Sequence, residues 1–134
     1  MTYLLDTNVV SDLMRGDLRI ANWLEALPED DLVVTCTIVR GEILFGLARL
    51  AESKRRTDLE IKAQQLFDVL PCEVVPERAS DFYAIIKLSR QRRGLTLDEN
   101  DLWVAATTLA IQGVLVSRDT DFAAIEGLSV FAPF

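Results

Sequence analysis

Apolar positions along the chain fall into blocks that switch between strand-like runs and helical spacing. "TYLL" is a short apolar strand that stops at Asp6. Asn8 to Arg15 carries Val9, Val10, Leu13 and Met14 at helical spacing, and Gly16 ends it. Ile20, Trp23, Leu24 and Leu27 share one helix face and predict a second helix, closed by Pro28. "LVVTC", rich in β-branched residues, predicts the second strand, and Thr37 is positioned to cap the long helix "IVRGEILFGLARLA". A charged loop, "ESKRR", leads to a helix around Leu59 to Leu70, with Ala63, Leu66 and Phe67 among its apolar positions. "CEVV" reads as a third short strand. Glu77 to Arg93 reads as a helix carrying Phe82, Ile85, Ile86 and Leu88, stopped by Gly94. "LTLDEN" is then a loop, Asp101 to Gln112 an apolar helix with Gly113 just past its end, and "VLVS" the fourth strand. "RDTDF" starts a turn or short helix, and "LSVF" is an edge strand.

Strands that alternate with helices imply βαβ units and a parallel sheet covered on both faces. The expected fold is an α/β, three-layer α/β/α sandwich with a central parallel sheet of four to five strands. No linker, repeat or shift in composition divides the chain, so residues 1–134 are expected to form one domain. No apolar run approaches the ~20 residues that span a bilayer, and no basic segment leads into a signal-like apolar stretch. Cys36 and Cys72 fit no metal or redox spacing and read as reduced, buried thiols. A cytoplasmic location without a membrane anchor is expected.

Two features of the composition narrow the chemistry. The chain has no His, which removes Ser-His-Asp triads, Cys-His pairs and histidine-ligated zinc. Its formal net charge is −7, so binding of nucleic acid by bulk charge is disfavoured. Carboxylate chemistry remains, and carboxylates without His suit hard cations such as Mg²⁺ or Mn²⁺.

In open α/β folds, ligands bind beyond the carboxyl ends of the strands. Asp6 is at the end of the first strand, and Asp119 is two residues past "VLVS". Glu42 lies a turn or so into the helix after the second strand, and Asp101 begins the helix that feeds the fourth. Each acid has an ordinary structural reading: Asp6 as a helix cap, Asp101 as a partner of the helix dipole, Asp119 as a turn residue. Glu42 is harder to dismiss. Ile38, Val39 and Phe45 flank it at helical spacing, so its charge lies on or beside an apolar face and needs a partner, of which a cation is the simplest. Four acids gathered at one sheet edge point to a shared site.

These residues carry a resemblance that runs the length of the chain. "LLDTNVVSDLM" resembles the opening of PIN-domain proteins, in particular the VapC-type toxins of prokaryotic toxin–antitoxin pairs. "TCTIVRGEILFGL" is similar to the family's second block, and "NDLWVAATTLAIQGVLVSRDTDF" to its third and fourth. "GLSVFAPF" looks like its usual ending. The D-T-N triplet alone is common, whereas four blocks in order are specific.

The resemblance implies a metal-dependent endoribonuclease that cuts structured RNA, often tRNA or ribosomal RNA, by metal-activated water. Asp6, Glu42, Asp101 and Asp119 inherit the acidic, metal-binding role, with Mg²⁺ or Mn²⁺ as the implied cofactor. Thr7 matches the family's hydroxyl beside the first acid. In "LDEND" the family pattern selects Asp101 over Asp98 and Glu99, and in "DTD" it selects Asp119, leaving Asp121 as a support or turn residue. Whether one or two cations bind stays open. The implied partners are an RNA substrate, a VapB-type antitoxin and a second copy in a homodimer.

Arg118, beside Asp119, is the best-placed phosphate contact. Lys54-Arg55-Arg56 and the trio Arg90, Arg92 and Arg93 read as solvated loops and helix ends. Trp23, Phe45 and Phe67 read as core, with a possible partner-helix groove near Trp23 and Leu44 to Leu50. A receiver-like phosphoryl-transfer module would need a Lys at a late strand end, where this chain has Arg118. A binding-only PIN domain, recognising nucleic acid or a protein without cutting, is the main alternative, although such domains tend to lose acids that are all present here.

Overall fold

A computed structural model describes residues 1–134. Five strands, β1 (Thr2–Leu5), β2 (Leu32–Cys36), β3 (Cys72–Glu73), β4 (Val114–Val116) and β5 (Ser129–Phe131), pair in the order β3-β2-β1-β4-β5. Every pairing is parallel. Six helices connect them: α1 (Thr7–Met14), α2 (Leu18–Glu25), α3 (Thr37–Ala48), α4 (Lys54–Val69), α5 (Ala79–Arg92) and α6 (Glu99–Ala110).

From β1 the chain steps outward to β2 and β3, then crosses back over the sheet to β4. Right-handed crossovers in opposite directions put their helices on opposite faces. Accordingly α1 packs on α2, α3 and α4, while α5 packs on α6. Leu4, Leu5, Val34, Leu115 and Val116 of the central strands are buried, and Val9, Val10, Val39, Val104 and Ala105 cover them. The three-layer parallel sandwich expected from the alternating pattern is the fold observed. No helix is long and apolar enough to cross a membrane.

Several boundaries differ from the sequence reading, each for a local reason. Thr37 does not cap α3. It is the first helical residue, Cys36 holds the cap position, and no side chain bonds there. The "ESKRR" segment is not all loop, because the Ser53 hydroxyl accepts from the Arg56 amide at 3.1 Å and starts α4 at Lys54. Helix α6 begins at Glu99, two residues before Asp101, and stops at Ala110. The positive φ beyond it belongs to Gln112, at 55°, rather than to Gly113. Gly113 serves packing instead: a Cβ there would stand 3.1 Å from the Thr2 carbonyl, so its absence lets the entry to β4 lie against β1. Cys36 is buried as expected, but Cys72, at the outer strand β3, is exposed. Phe45 is 63% exposed rather than core, because the buried face of α3 runs through Val39, Ile43 and Leu47. The Trp23 ring packs edge-on against Tyr3 and beside Phe131.

Candidate active site

The direction of strand order reverses between β1 and β4, and such a switch point opens a crevice at the carboxyl edge. Both flanking strands end in polar residues there. Asp6 follows β1, and Ser117, Arg118 and Asp119 follow β4. The Asp6 amide donates to the Val116 carbonyl at 3.0 Å, so the two strand ends are tied together before their side chains meet.

Asp6 is only 3% exposed, and its bonds explain how a carboxylate survives there. One oxygen accepts from the Thr7 amide at 2.8 Å, which makes Asp6 the cap of α1. The other accepts from the Ser117 hydroxyl at 2.7 Å and the Asn8 amide nitrogen at 3.0 Å. The cap reading and the site reading therefore hold together: one oxygen starts a helix while the other is fixed from β4. Burial still raises the Asp6 carboxyl above its ordinary range, the bond from Ser117 opposes that, and Asp119 adds to it.

Thr7 bridges to the third element, its hydroxyl donating to Glu42 Oε1 at 2.8 Å. The partner that Glu42 requires is thus in part a neighbouring hydroxyl, and Glu42 is half-buried on α3. Asp119 accepts from the Asp121 amide at 2.9 Å and caps the short 3-10 turn Thr120–Ala124. Asp121 supports Asp119 through its backbone, and its own side chain is exposed. Asp101 lies in the first turn of α6 and is half-buried. Its carboxyl is pushed up from 3.8 to about 7, first by burial and then by the charges of Asp6, Asp98, Asp119 and Glu42. That electrostatic coupling brings Asp6, Glu42, Asp101 and Asp119 into one neighbourhood, although they come from four separate segments.

Arg118 lies elsewhere than expected. Its guanidinium is committed to Asp12 of α1, with contacts at 2.8 and 3.1 Å, and it clamps α1 to the end of β4 rather than facing Asp119. Two residues that sequence reasoning passed over complete the site. Ser117 receives the Asp119 amide at 3.0 Å while bonding Asp6, and Asn8 bonds Asp6, Ser117 and the Arg118 amide. Their signal was available as a hydroxyl directly after a buried strand and an amide inside D-T-N. Ser117→Ala is expected to cost about 1–3 kcal/mol, because it strips a donor from a buried carboxylate. Urea unfolding checks this, and an unchanged midpoint would show that Asp6 does not depend on that bond.

As placed, no three carboxylates or thiols stand close enough together to hold a metal ion. The donor set nonetheless fits a hard cation, since it is all oxygen, lacks nitrogen or sulfur ligands, and raises the Asp101 carboxyl through shared negative charge. Asp6, Glu42, Asp101 and Asp119 are the residues that would hold it.

Known proteins share this fold. The PIN domain family matches residues 3–128. The chain is 30% identical over 135 residues to the VapC ribonuclease Y4jK of Sinorhizobium fredii, which covers 97% of this chain and 96% of the relative. Among solved structures it is similar to FitAcB of Neisseria gonorrhoeae, at 29% identity and a TM-score of 0.84, covering 98% of this chain and 97% of that one. The VapBC2 complex of Rickettsia felis bound to promoter DNA shares the fold, with a TM-score of 0.90 at 22% identity over 98% of each chain. With a family match across nearly its whole length and a VapC relative aligned end to end, the chain belongs to the PIN-domain family.

Proposed function

We propose that this protein is a divalent-cation-dependent endoribonuclease of the VapC type, cutting structured RNA such as tRNA or rRNA, and silenced by a VapB-type antitoxin. The observation that carries the reading is the coupling of Asp101 to Asp6, Asp119 and Glu42 at the switch point of the sheet. Four separate structural caps would not need to share one field. The relative's name, VapC ribonuclease, supports the same activity.

Asp6, Glu42, Asp101 and Asp119 would hold a Mg²⁺ or Mn²⁺, which when bound would supply Lewis acidity and offset the charge of the phosphodiester. The chain's own residues do the rest. Ser117, Asn8 and the Thr7 amide fix Asp6 in one orientation, and the Thr7 hydroxyl fixes Glu42. Asp101, whose carboxyl is pushed up to about 7 by burial and the neighbouring charges, is the acid whose ionised form a bound cation would relieve most. The Asp121 amide and the Ser117 hydroxyl orient Asp119. Arg118 serves as the clamp to Asp12, and a phosphate contact would require it to leave that pair.

The antitoxin reading draws on two surfaces. A groove of ≈ 250 Å³ beside the acids is lined by Thr7, Met14, Glu42, Leu47 and Arg55, and Leu44 and Phe45 are exposed on α3 nearby. An acidic cleft next to apolar surface suits a peptide with apolar anchors and a basic end. The protein acts in the cytoplasm, as one domain over residues 1–134, and pairs as a homodimer.

Purified protein is expected to cleave structured RNA in Mg²⁺ or Mn²⁺ and to stop in EDTA. Expressed alone it should arrest bacterial growth, with rescue by its antitoxin. Folded, soluble protein that neither cuts RNA nor slows growth would favour a binding-only PIN domain.

A further inference from the structure

Helix α5 buries one face and leaves the opposite one bare. Ala79, Ile86 and Arg90 are its buried residues, so Arg90 in "RQRRG" is not the solvated helix end that its sequence suggests. On the far side Asp81, Ile85, Leu88 and Arg92 follow the i, i+4, i+7, i+11 spacing that forms a single line along a helix. All four are exposed. The outward line of a surface helix is ordinarily polar, yet the centre of this one is apolar, with Ile85 66% exposed and Leu88 47% exposed. Ala84 and Ser89, also exposed, flank the line with small side chains. Apolar surface continues past Ile85 into a shallow hollow that Ser89, Ala124 and Ile125 also line.

This line complements itself when turned end for end. Asp81 and Arg92 stand at its two ends with opposite charge, and neither is engaged in an ion pair within the chain. Three pairs, Asp81 with Arg92, Ala84 with Ser89 and Ile85 with Leu88, are all centred on one point, midway between Ile86 and Lys87. A two-fold axis through that point lays α5 of a second copy antiparallel on the first. It sets Asp81 against the partner's Arg92, Ile85 against the partner's Leu88, and Ala84 against the partner's Ser89, with each contact made twice. The small pair lets the two helices approach closely. A parallel pairing would instead put Asp81 on the partner's Asp81 and Arg92 on the partner's Arg92, and like charges there repel.

We propose that the exposed face of α5 is the surface on which two copies of this chain pair, antiparallel about a two-fold axis, with Ile85 and Leu88 at the centre and an Asp81–Arg92 pair closing each end. This rests on the homodimer reading above, to which it gives a face and a register, and it is independent of the nuclease reading. Two copies that each carry a net charge of −7 repel at long range, so the end pairs set orientation while the apolar centre supplies the affinity. One helix face is small for an interface, and a dissociation constant on the order of micromolar is expected.

The test is sedimentation equilibrium of the full chain alone, from about 1 to about 200 µM, which brackets that dissociation constant. Wild type should pass from monomer to dimer across the range. Ile85→Glu puts two carboxylates into the apolar centre and should weaken pairing at least ~100-fold, leaving monomer throughout. Asp81→Arg and Arg92→Asp each bring like charges together and should each weaken pairing about tenfold. Combined in one chain they restore opposite charges in swapped order, and pairing should return to within about threefold of wild type. Asp81→Arg also lowers the net negative charge, so general repulsion predicts a tighter dimer where the proposed contact predicts a weaker one. These side chains are exposed in the single chain, so the variants should fold, as circular dichroism checks. Should Ile85→Glu not fold, the charge reversals decide. Wild type that stays monomeric to about 200 µM overturns the proposal along with the homodimer, and leaves the face to a different protein. A dimer that Ile85→Glu leaves intact, or that the single reversals do not weaken, overturns the face alone. A double reversal no better than the single ones overturns the antiparallel register.

Discussion

Asp6→Asn is expected to abolish metal-dependent RNA cleavage while the far-UV spectrum stays that of folded protein. Asp6 is the most deeply buried of the four acids and the only one gripped by donors from three residues, Thr7, Asn8 and Ser117. The substitution keeps its volume and removes its charge. Its amide nitrogen would face a donor, at a cost of about 1–3 kcal/mol, partly offset because no charge is then buried. That cost is small beside the loss of a charge that the proposed site needs to hold its cation, for which the rate should fall at least ~10²-fold. Cleavage of a labelled structured RNA, read with a circular dichroism spectrum of the same sample, checks it. Activity above a tenth of wild type in folded Asp6→Asn would place the chemistry elsewhere.

Asp101→Asn gives opposite signs under two conditions. In EDTA the folded protein holds a proton on Asp101 up to about pH 7, whereas the unfolded chain releases it near 3.8. Across that window the native state binds the extra proton on Asp101, so the contribution of Asp101 to stability falls as pH rises from about 4 to 7 and is lowest above it. The Asn variant has no such group. It should match wild type near pH 4 and melt progressively higher than wild type towards pH 8. A simple first-turn acid predicts the reverse at pH 8, because removing favourable dipole charge costs about 0.3–1 kcal/mol. In Mg²⁺ or Mn²⁺ the order should invert. A cation that binds only the folded state adds about 2.7 kcal/mol at a hundredfold excess over its dissociation constant, on the order of 10 °C here. The Asn variant should gain far less. Equal gains in both proteins would show that Asp101 is no ligand.

The periodic blocks of the sequence were sufficient for the layered parallel fold, because burial on both sheet faces writes itself into local spacing. "TYLL", "LVVTC" and "VLVS" all form strands at or within a residue of where their apolar runs lie. The acids were legible too, since Asp6 and Asp119 follow strand ends and carboxyl ends gather at one edge. Helix starts were less legible: the capping bond at Ser53 depends on a backbone turn that composition does not fix, and the helix at Glu99 begins with no side-chain cap at all. Strand order, and with it the switch point between β1 and β4, came only from the tertiary structure. So did the pairings that cross long stretches of chain: Ser117 to Asp6, Thr7 to Glu42, and Arg118 to Asp12 instead of the site. Arg90 is the sharpest case, a basic residue in a basic run that folding buries. Spacing along the chain records which face of an element meets the core. Which charge meets which, and which is left without a partner, is set by desolvation between segments far apart in sequence, and no local pattern encodes it.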